Sequence, residues 1–325
     1  MNRVRQWVAA LCLLSPVGFA MATSWDEPWQ DEVIRKADSF GLYEIKSVSG
    51  RKATVHTVRV LAGTPTPDVF VIDGYYDLKL TSSSGGHDDE LGIGLEPGTR
   101  AYLWPKHTTK GWQLPTPMAG ISVEMPPKEV AATYRASFHQ AVQSAAAFER
   151  VQTCIFKKLH GGACDVAPLA EHLTAPLKVA PASLSERSSE AATKLFFRQH
   201  VALESAYLLK RPLPLATIEP FLKNDFFHQQ ISAVRALSVS NDPGRDERIV
   251  RFVKDDTRIG CARAMAIMLA IEQRNEAVMA KLRNYKPADP ETETILPINI
   301  MDPRIGTTFP DTLGKALAEL KPKKK

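Results

Sequence analysis

Apolar and polar positions alternate along the first third of the chain and recur every three or four residues along most of the remainder. Residues 40 to 48, FGLYEIKSV, alternate loosely, and Gly50 supplies a turn. ATVHTVRVL, 53 to 61, then sets Val55, Thr57 and Arg59 on one face against His56, Val58 and Val60 on the other. VFVI at 69 to 72, YYDLKL at 75 to 80, RAYLW at 100 to 104 and a short piece around Trp112 follow, separated by Gly and Pro. Five or six short strands with no helix-length period between them predict a small barrel or sandwich.

From Pro127 the period becomes helical. Val130, Tyr134, Phe138, Ala141, Ala145, Phe148, Gln152, Ile155 and Leu159 fall three or four apart. That spacing predicts one helix of about thirty residues, opened by Pro126 and Pro127 and stopped by Gly161-Gly162. A Pro- and Ser-rich bridge, APLKVAPASLSERSS at 175 to 189, precedes helices expected around 190 to 210, 216 to 240, 245 to 254 and 257 to 284. Near the end only Leu313 to Leu320 reads as a short amphipathic helix. The change of period gives an α+β, two-domain expectation: a β-domain over 23–125 and an α-helical domain over 126–320, with a basic tail at 321–325.

Two resemblances sharpen this expectation. ADSFGLYEIKSV, HTVRVLAG and LEPGTRAYLW, together spanning roughly 37 to 104, resemble the OB-type barrel of bacterial secreted proteins related to tissue inhibitors of metalloproteinases. The resemblance implies a small OB-like β-barrel. Inhibitors of that family present an N-terminal cysteine to the protease zinc, and the expected mature start, TSWDEPW, has none, so only the barrel carries over. In the second half FLKND at 221 to 225 recurs as FVKDD at 252 to 256, each followed by an alanine-bearing helix, ISAVRAL or CARAMAIML. This region, about 215 to 285, resembles HEAT-like repeats, which implies a stack of two-helix units.

The N-terminal residues 1–22 place Arg3 and Arg5 ahead of an apolar run from Trp7 to Phe19 and end in Ala20-Met21-Ala22, the pattern of a signal peptide. Pro16 and Gly18 break the run, so a stable membrane span is not expected and the mature chain is read as periplasmic or secreted. The formal charge is +5, from 41 basic and 36 acidic residues. Two of those arginines lie in the signal and four lysines in the closing KPKKK; without these six, 35 basic residues face 36 acidic ones. Phosphate binding needs a clustered basic excess, so a nucleic-acid partner is not expected.

Export frames the cysteines. Cys154 and Cys164 flank a predicted helix end and the Gly161-Gly162 turn, so a local disulfide is expected; the alternative is a metal held by Cys154, His160 and Cys164 beside Asp165. Cys261 sits in an alanine-rich helical run and reads as a buried thiol.

Candidate chemistry is sparse. SSSGGHDDELGIG, 82 to 94, offers His87, Asp88, Asp89 and Glu90 as candidate metal ligands. Consecutive residues of an extended segment point to alternate sides, which favours a solvated hairpin loop over a converging cation site. Ser49-Gly50-Arg51-Lys52 fits the spacing of acyl-serine enzymes but falls on a strand turn without a Lys-Thr-Gly. Trp25 and Trp29, four apart, suggest a lid over the barrel or the interdomain seam. The chain lacks Gly-x-Ser-x-Gly, His-Glu-x-x-His, a phosphate loop and Cys-x-x-Cys, and no cofactor or catalytic residue is assigned. The resulting expectation is an exported, non-enzymatic envelope protein that binds a protein partner through its helical domain or the interdomain seam. A metal-dependent hydrolase and a protease inhibitor are the alternatives.

Overall fold

The computed structural model describes residues 29–50, 52–73, 96–115, 121–132, 141–183, 188–294 and 310–321. The signal peptide expected over 1–22, Trp25, the candidate ligands His87, Asp88, Asp89 and Glu90, the strand expected at 75 to 80 and the final lysines lie outside the described residues. The described chain has an α+β layout: a curled half-barrel sheet, OB-like in form, followed by helices.

A short helix, α1 (Gln30–Lys36), leads into β1 (Ser39–Ser49), which turns at Gly50 into β2 (Lys52–Gly63). Gly50 has φ 56°, a left-handed value that suits glycine in a tight hairpin. This turn carries the Ser49-to-Lys52 spacing, with the two residues paired across the hairpin. Then come β3 (Val69–Asp73), β4 (Arg100–Leu103), β5 (Lys106–Thr108), β6 (Gly111–Gln113), β7 (Ile121–Met125), β8 (Glu129–Ala132) and β9 (Ala141–Ser144). They form one sheet in the order β5-β6-β3-β2-β1-β4-β7-β8-β9.

Strand alternation divides the apolar residues between two faces. Tyr43 and Ile45 of β1 join Val55, Phe70, Ile72, Leu103 and Trp112 in a cluster within the curl. Phe40 and Leu42 of the same strand, with Tyr102 and Trp104, enter a second and larger cluster shared with the helices. Gly63, at φ 84°, ends β2 where a Cβ would stand 2.3 Å from the Asp38 carbonyl oxygen and 2.8 Å from Phe156, so this close approach requires glycine.

The sheet runs beyond residue 125, and here the sequence expectation of one helix from about 130 to 159 is corrected. Glu129 and Val130 pair with Met125 and Glu124 of β7, and Glu129 to Ala132 pair with Ser144 to Ala141 of β9. Pro126 and Pro127 lie in the β7–β8 turn and do not open a helix. The exposed edge of β7 offered hydrogen-bonding partners that an i, i+4 count cannot see. Helix α2 (Ala145–Leu159) starts where Ser144 Oγ accepts the amide hydrogen of Ala147, and it ends at His160 with Gly161 at φ 78°. Its apolar stripe, Phe148, Val151 and Ile155, is buried against the sheet. The Phe148 ring lies 5.0 Å from Tyr102, 6.2 Å from Trp104 and 6.4 Å from Phe40.

The remaining helices are α3 (Ala170–Thr174), α4 (Glu190–Leu208), α5 (Leu215–Leu222), α6 (Phe227–Ser238), α7 (Arg245–Lys254), α8 (Gly260–Glu272), α9 (Glu276–Leu282) and α10 (Leu313–Ala318). Two long helices of the sequence reading are each divided. Between α5 and α6, Asn224 Oδ1 accepts the amide hydrogen of Phe226. Between α8 and α9, Arg274 has φ 52° and Asn275 caps the next helix through Val278 N. Helices α4, α6, α8 and α10 pack in that succession, while α5 pairs with α6 and α7 with α8. The thirty-one-residue interval holds in three dimensions: Ile218, Phe221 and Leu222 of α5 and Ile249, Phe252 and Val253 of α7 are all buried. Gln199 and Gln230 share the interval too, each bonding backbone groups of a preceding segment, Ala180 O for the first and Asn224 O for the second. Among the described residues no helix is long and apolar enough to cross a membrane.

Candidate functional site

Charged side chains converge most deeply where α1 meets the helices. Arg235 of α6 is 4 % exposed and its Nε donates to Glu204 Oε2 of α4 at 2.9 Å. Its Nη2 stands 3.6 Å from Asp31 Oδ1 of α1. The guanidinium carbon lies 4.0 Å from the Tyr207 ring centroid and 4.4 Å from that of Trp29, so two aromatic faces flank the cation. Glu204 and Arg235 are themselves thirty-one residues apart, equivalent positions on successive helices of the stack. Trp29 therefore sits at the seam, one of the two places expected for it.

The electrostatics follow from burial. Burial pushes the Tyr207 phenol up to about 12 against the opposing charge of Arg235. Burial works against the Arg235 charge, but Glu204 first, then Tyr207 and Asp31, outweigh it and hold the guanidinium more firmly protonated than usual. Lys210, with Nζ 4.1 Å from the Tyr207 ring centroid, is lowered by burial, with Glu272 opposing. An arginine held this way is no acid or base, and Glu204 is bound to it. The cluster clamps α1, α4 and α6 together.

A serine–histidine contact lies nearby. Ser232 Oγ is 2.5 Å from His200 Nδ1 and donates to the His228 carbonyl at 2.8 Å. Ser232 is fully buried, so its oxygen is closed to any substrate, and its bond to the carbonyl four residues back is a helix-interior habit of serine.

Cys154 and Cys164 lie at disulfide distance, with Cα atoms 5.4 Å apart, which favours the bridge over the metal alternative. His160, the third member of that alternative, faces Phe156 O at 3.0 Å and Ala37 O at 3.1 Å and stacks on the Phe156 ring. Its ring nitrogens thus address backbone carbonyls, one of them from the C-cap of α1. Among the described residues no group of three His, Cys, Asp or Glu side chains is placed to hold a metal ion.

Two surface concavities lie among the described residues. One, of about 580 Å³, lies between Gly98 to Arg100 and Val123 to Lys128 and carries the Arg100–Glu124 ion pair. The other, of about 260 Å³, is a groove between α5 and α7 lined by Glu219, Leu222, Lys223, Arg248, Arg251, Phe252, Asp255 and Arg258. Arg248 is fixed on Glu219 by two contacts, Nη1 to Oε1 at 3.1 Å and Nε to Oε2 at 3.0 Å. Arg258 Nε meets Asp255 Oδ2 at 2.8 Å and its Nη1 meets Leu222 O at 3.3 Å. Asp255 is held below the usual carboxylate range; partial burial opposes this, and hydrogen bonds from Thr257 and Arg258 prevail. Sequence reading missed this groove because its residues are separated by up to 39 positions and meet only through the helix stack; the recurrent FLKND and FVKDD segments that form its ends were the visible signal. No family model, curated protein or solved structure matches the chain.

Proposed function

We propose that the protein is an exported, non-enzymatic component of the cell envelope that binds another protein through its helical region. The observation that carries this reading is the row of paired helices, in which recurring buried positions hold a frame while the exposed positions differ from one unit to the next. Such a frame offers side chains for recognition without asking the backbone to rearrange. Of the two surfaces expected from the sequence, the helical face is favoured. The described seam is filled by Val33, Ile34, Phe40, Trp104 and Phe148 and by the Arg235 clamp. The signal-like N-terminus and the cysteine pair at bonding distance support an oxidising, extracytoplasmic location.

The test is site-specific photocrosslinking in the native cell, with the photoreactive residue at Ala216 of α5 or Lys254 of α7, both exposed, and at Lys46 of β1 as the control. A discrete adduct from the helical positions and none from Lys46 is expected. Adducts absent from both helical positions in protein that is exported and folded would overturn the reading.

A further inference from the structure

We infer that the groove between α5 and α7 docks an acidic segment of the partner protein that also carries apolar side chains. The inference rests on the protein-binding role proposed above and names the chemistry of the partner. Four cations line the groove, Lys223, Arg248, Arg251 and Arg258, against two carboxylates, Glu219 and Asp255. The carboxylates do not neutralise the site; they arrange it. Glu219 fixes Arg248 and also meets Lys223 Nζ at 3.3 Å, while Asp255 fixes Arg258. Arg251 is exposed and makes no ion pair or hydrogen bond among the described residues. An excess of two positive charges therefore faces solvent above a floor of Leu222 and Phe252.

The repeat does not call for arginine at two of these positions. Shifting by the repeat interval puts Thr217 at the position of Arg248 and Pro220 at that of Arg251, while Ile218 and Ile249 keep the buried apolar position between them. The unit that holds Thr217 and Pro220 thus packs without arginine at these two positions. A compact phosphate is the poorer match, because the groove lies at the C-terminal ends of both helices, with Lys223 and Asp255 as their caps. Exposed carbonyls there disfavour a concentrated anion, whereas carboxylates spread along a peptide meet the guanidinium groups away from the helix axes. Leu222 and Phe252, although largely buried, supply the apolar contact the groove offers to intervening side chains.

The experiment uses the mature full chain and a fluorescein-labelled peptide of alternating Glu and Leu, followed by fluorescence anisotropy at low ionic strength. Binding that weakens as salt rises is expected, with a loss of at least about tenfold in the Lys223→Glu/Arg251→Glu variant. The control variant Lys106→Glu, on exposed β5, should bind as the unaltered protein does, and an alternating Lys-Leu peptide should not bind. No binding of the Glu-Leu peptide, equal binding by the doubly reversed variant, or complete displacement by inorganic phosphate would overturn the inference. Photocrosslinking from Ala216 then separates the two levels. An adduct that persists in the doubly reversed variant sinks this groove but spares the protein-binding role; an adduct missing already from the unaltered chain sinks that role.

Discussion

Replacing Arg235 by methionine isolates the energetics of the clamp. Methionine keeps the length and apolar contact of the side chain but removes the charge, leaving Glu204, whose side chain is 3 % exposed, facing an uncompensated interior. Removing one partner of a buried pair costs about 3–5 kcal/mol, and the lost contact with the Tyr207 and Trp29 faces lies within that range. For a chain of this size the midpoint of thermal unfolding should fall by about 5–8 °C. Urea unfolding, followed separately by circular dichroism and tryptophan fluorescence, measures the loss. The double variant Glu204→Gln/Arg235→Met removes both charges of the closer pair and should recover about half or more of the loss, the remainder reflecting Asp31, whose Oδ1 is buried and keeps no cation. A single variant that costs less than about 1 kcal/mol, or a double variant no better than the single, would refute the claim that charge pairing holds this seam.

Other expectations follow from the same geometry. The Tyr207 phenol is raised in the folded state above its ordinary value of 10, so its contribution is complete below pH 10 and is lost as pH climbs towards about 12; Tyr207→Phe should flatten that alkaline decline in urea midpoints. Phe148→Ala removes a fully buried ring from the sheet–helix contact and should cost about 3–5 kcal/mol by the same unfolding assay. Breaking the cysteine pair by Cys164→Ala reopens a ten-residue separation and should cost about 3 kcal/mol, seen as a difference between oxidised and substituted protein that disappears when both are reduced. At Gly260 a Cβ would stand 2.1 Å from the Glu293 carbonyl oxygen, so Gly260→Ala should displace residues 292–294 from α8 and raise their amide exchange rates.

Much of the fold was legible because local pattern and tertiary context agree. FGLYEIKSV and ATVHTVRVL alternate, and they form the β1–β2 hairpin; the repeat between FLKND and FVKDD marks the ends of α5 and α7. Where the sequence misled, a non-local partner decided the outcome. Val130 fits a helical stripe by spacing, yet the open edge of β7 draws it into β8. The divisions at Asn224 and Asn275 depend on side-chain bonds to nearby amides, which hydrophobic period does not record. Cys154 and Cys164 could be paired from their short separation. Arg235, Glu204 and Asp31 could not, since Asp31 and Glu204 stand 173 positions apart and nothing in their neighbours announces the meeting.

The apolar interior that Phe148 shares with Phe40, Tyr102 and Trp104 has a bearing on how this protein could have been assembled and how it could be altered. A gene rearrangement that exchanged the N-terminal portion for an unrelated module would strip the cover from α2. The orphaned portion would display Phe40, Leu42 and Trp104 to water and aggregate. Despite the change in texture along the chain, the two portions are obliged to travel together, and shuffling them would yield insoluble halves.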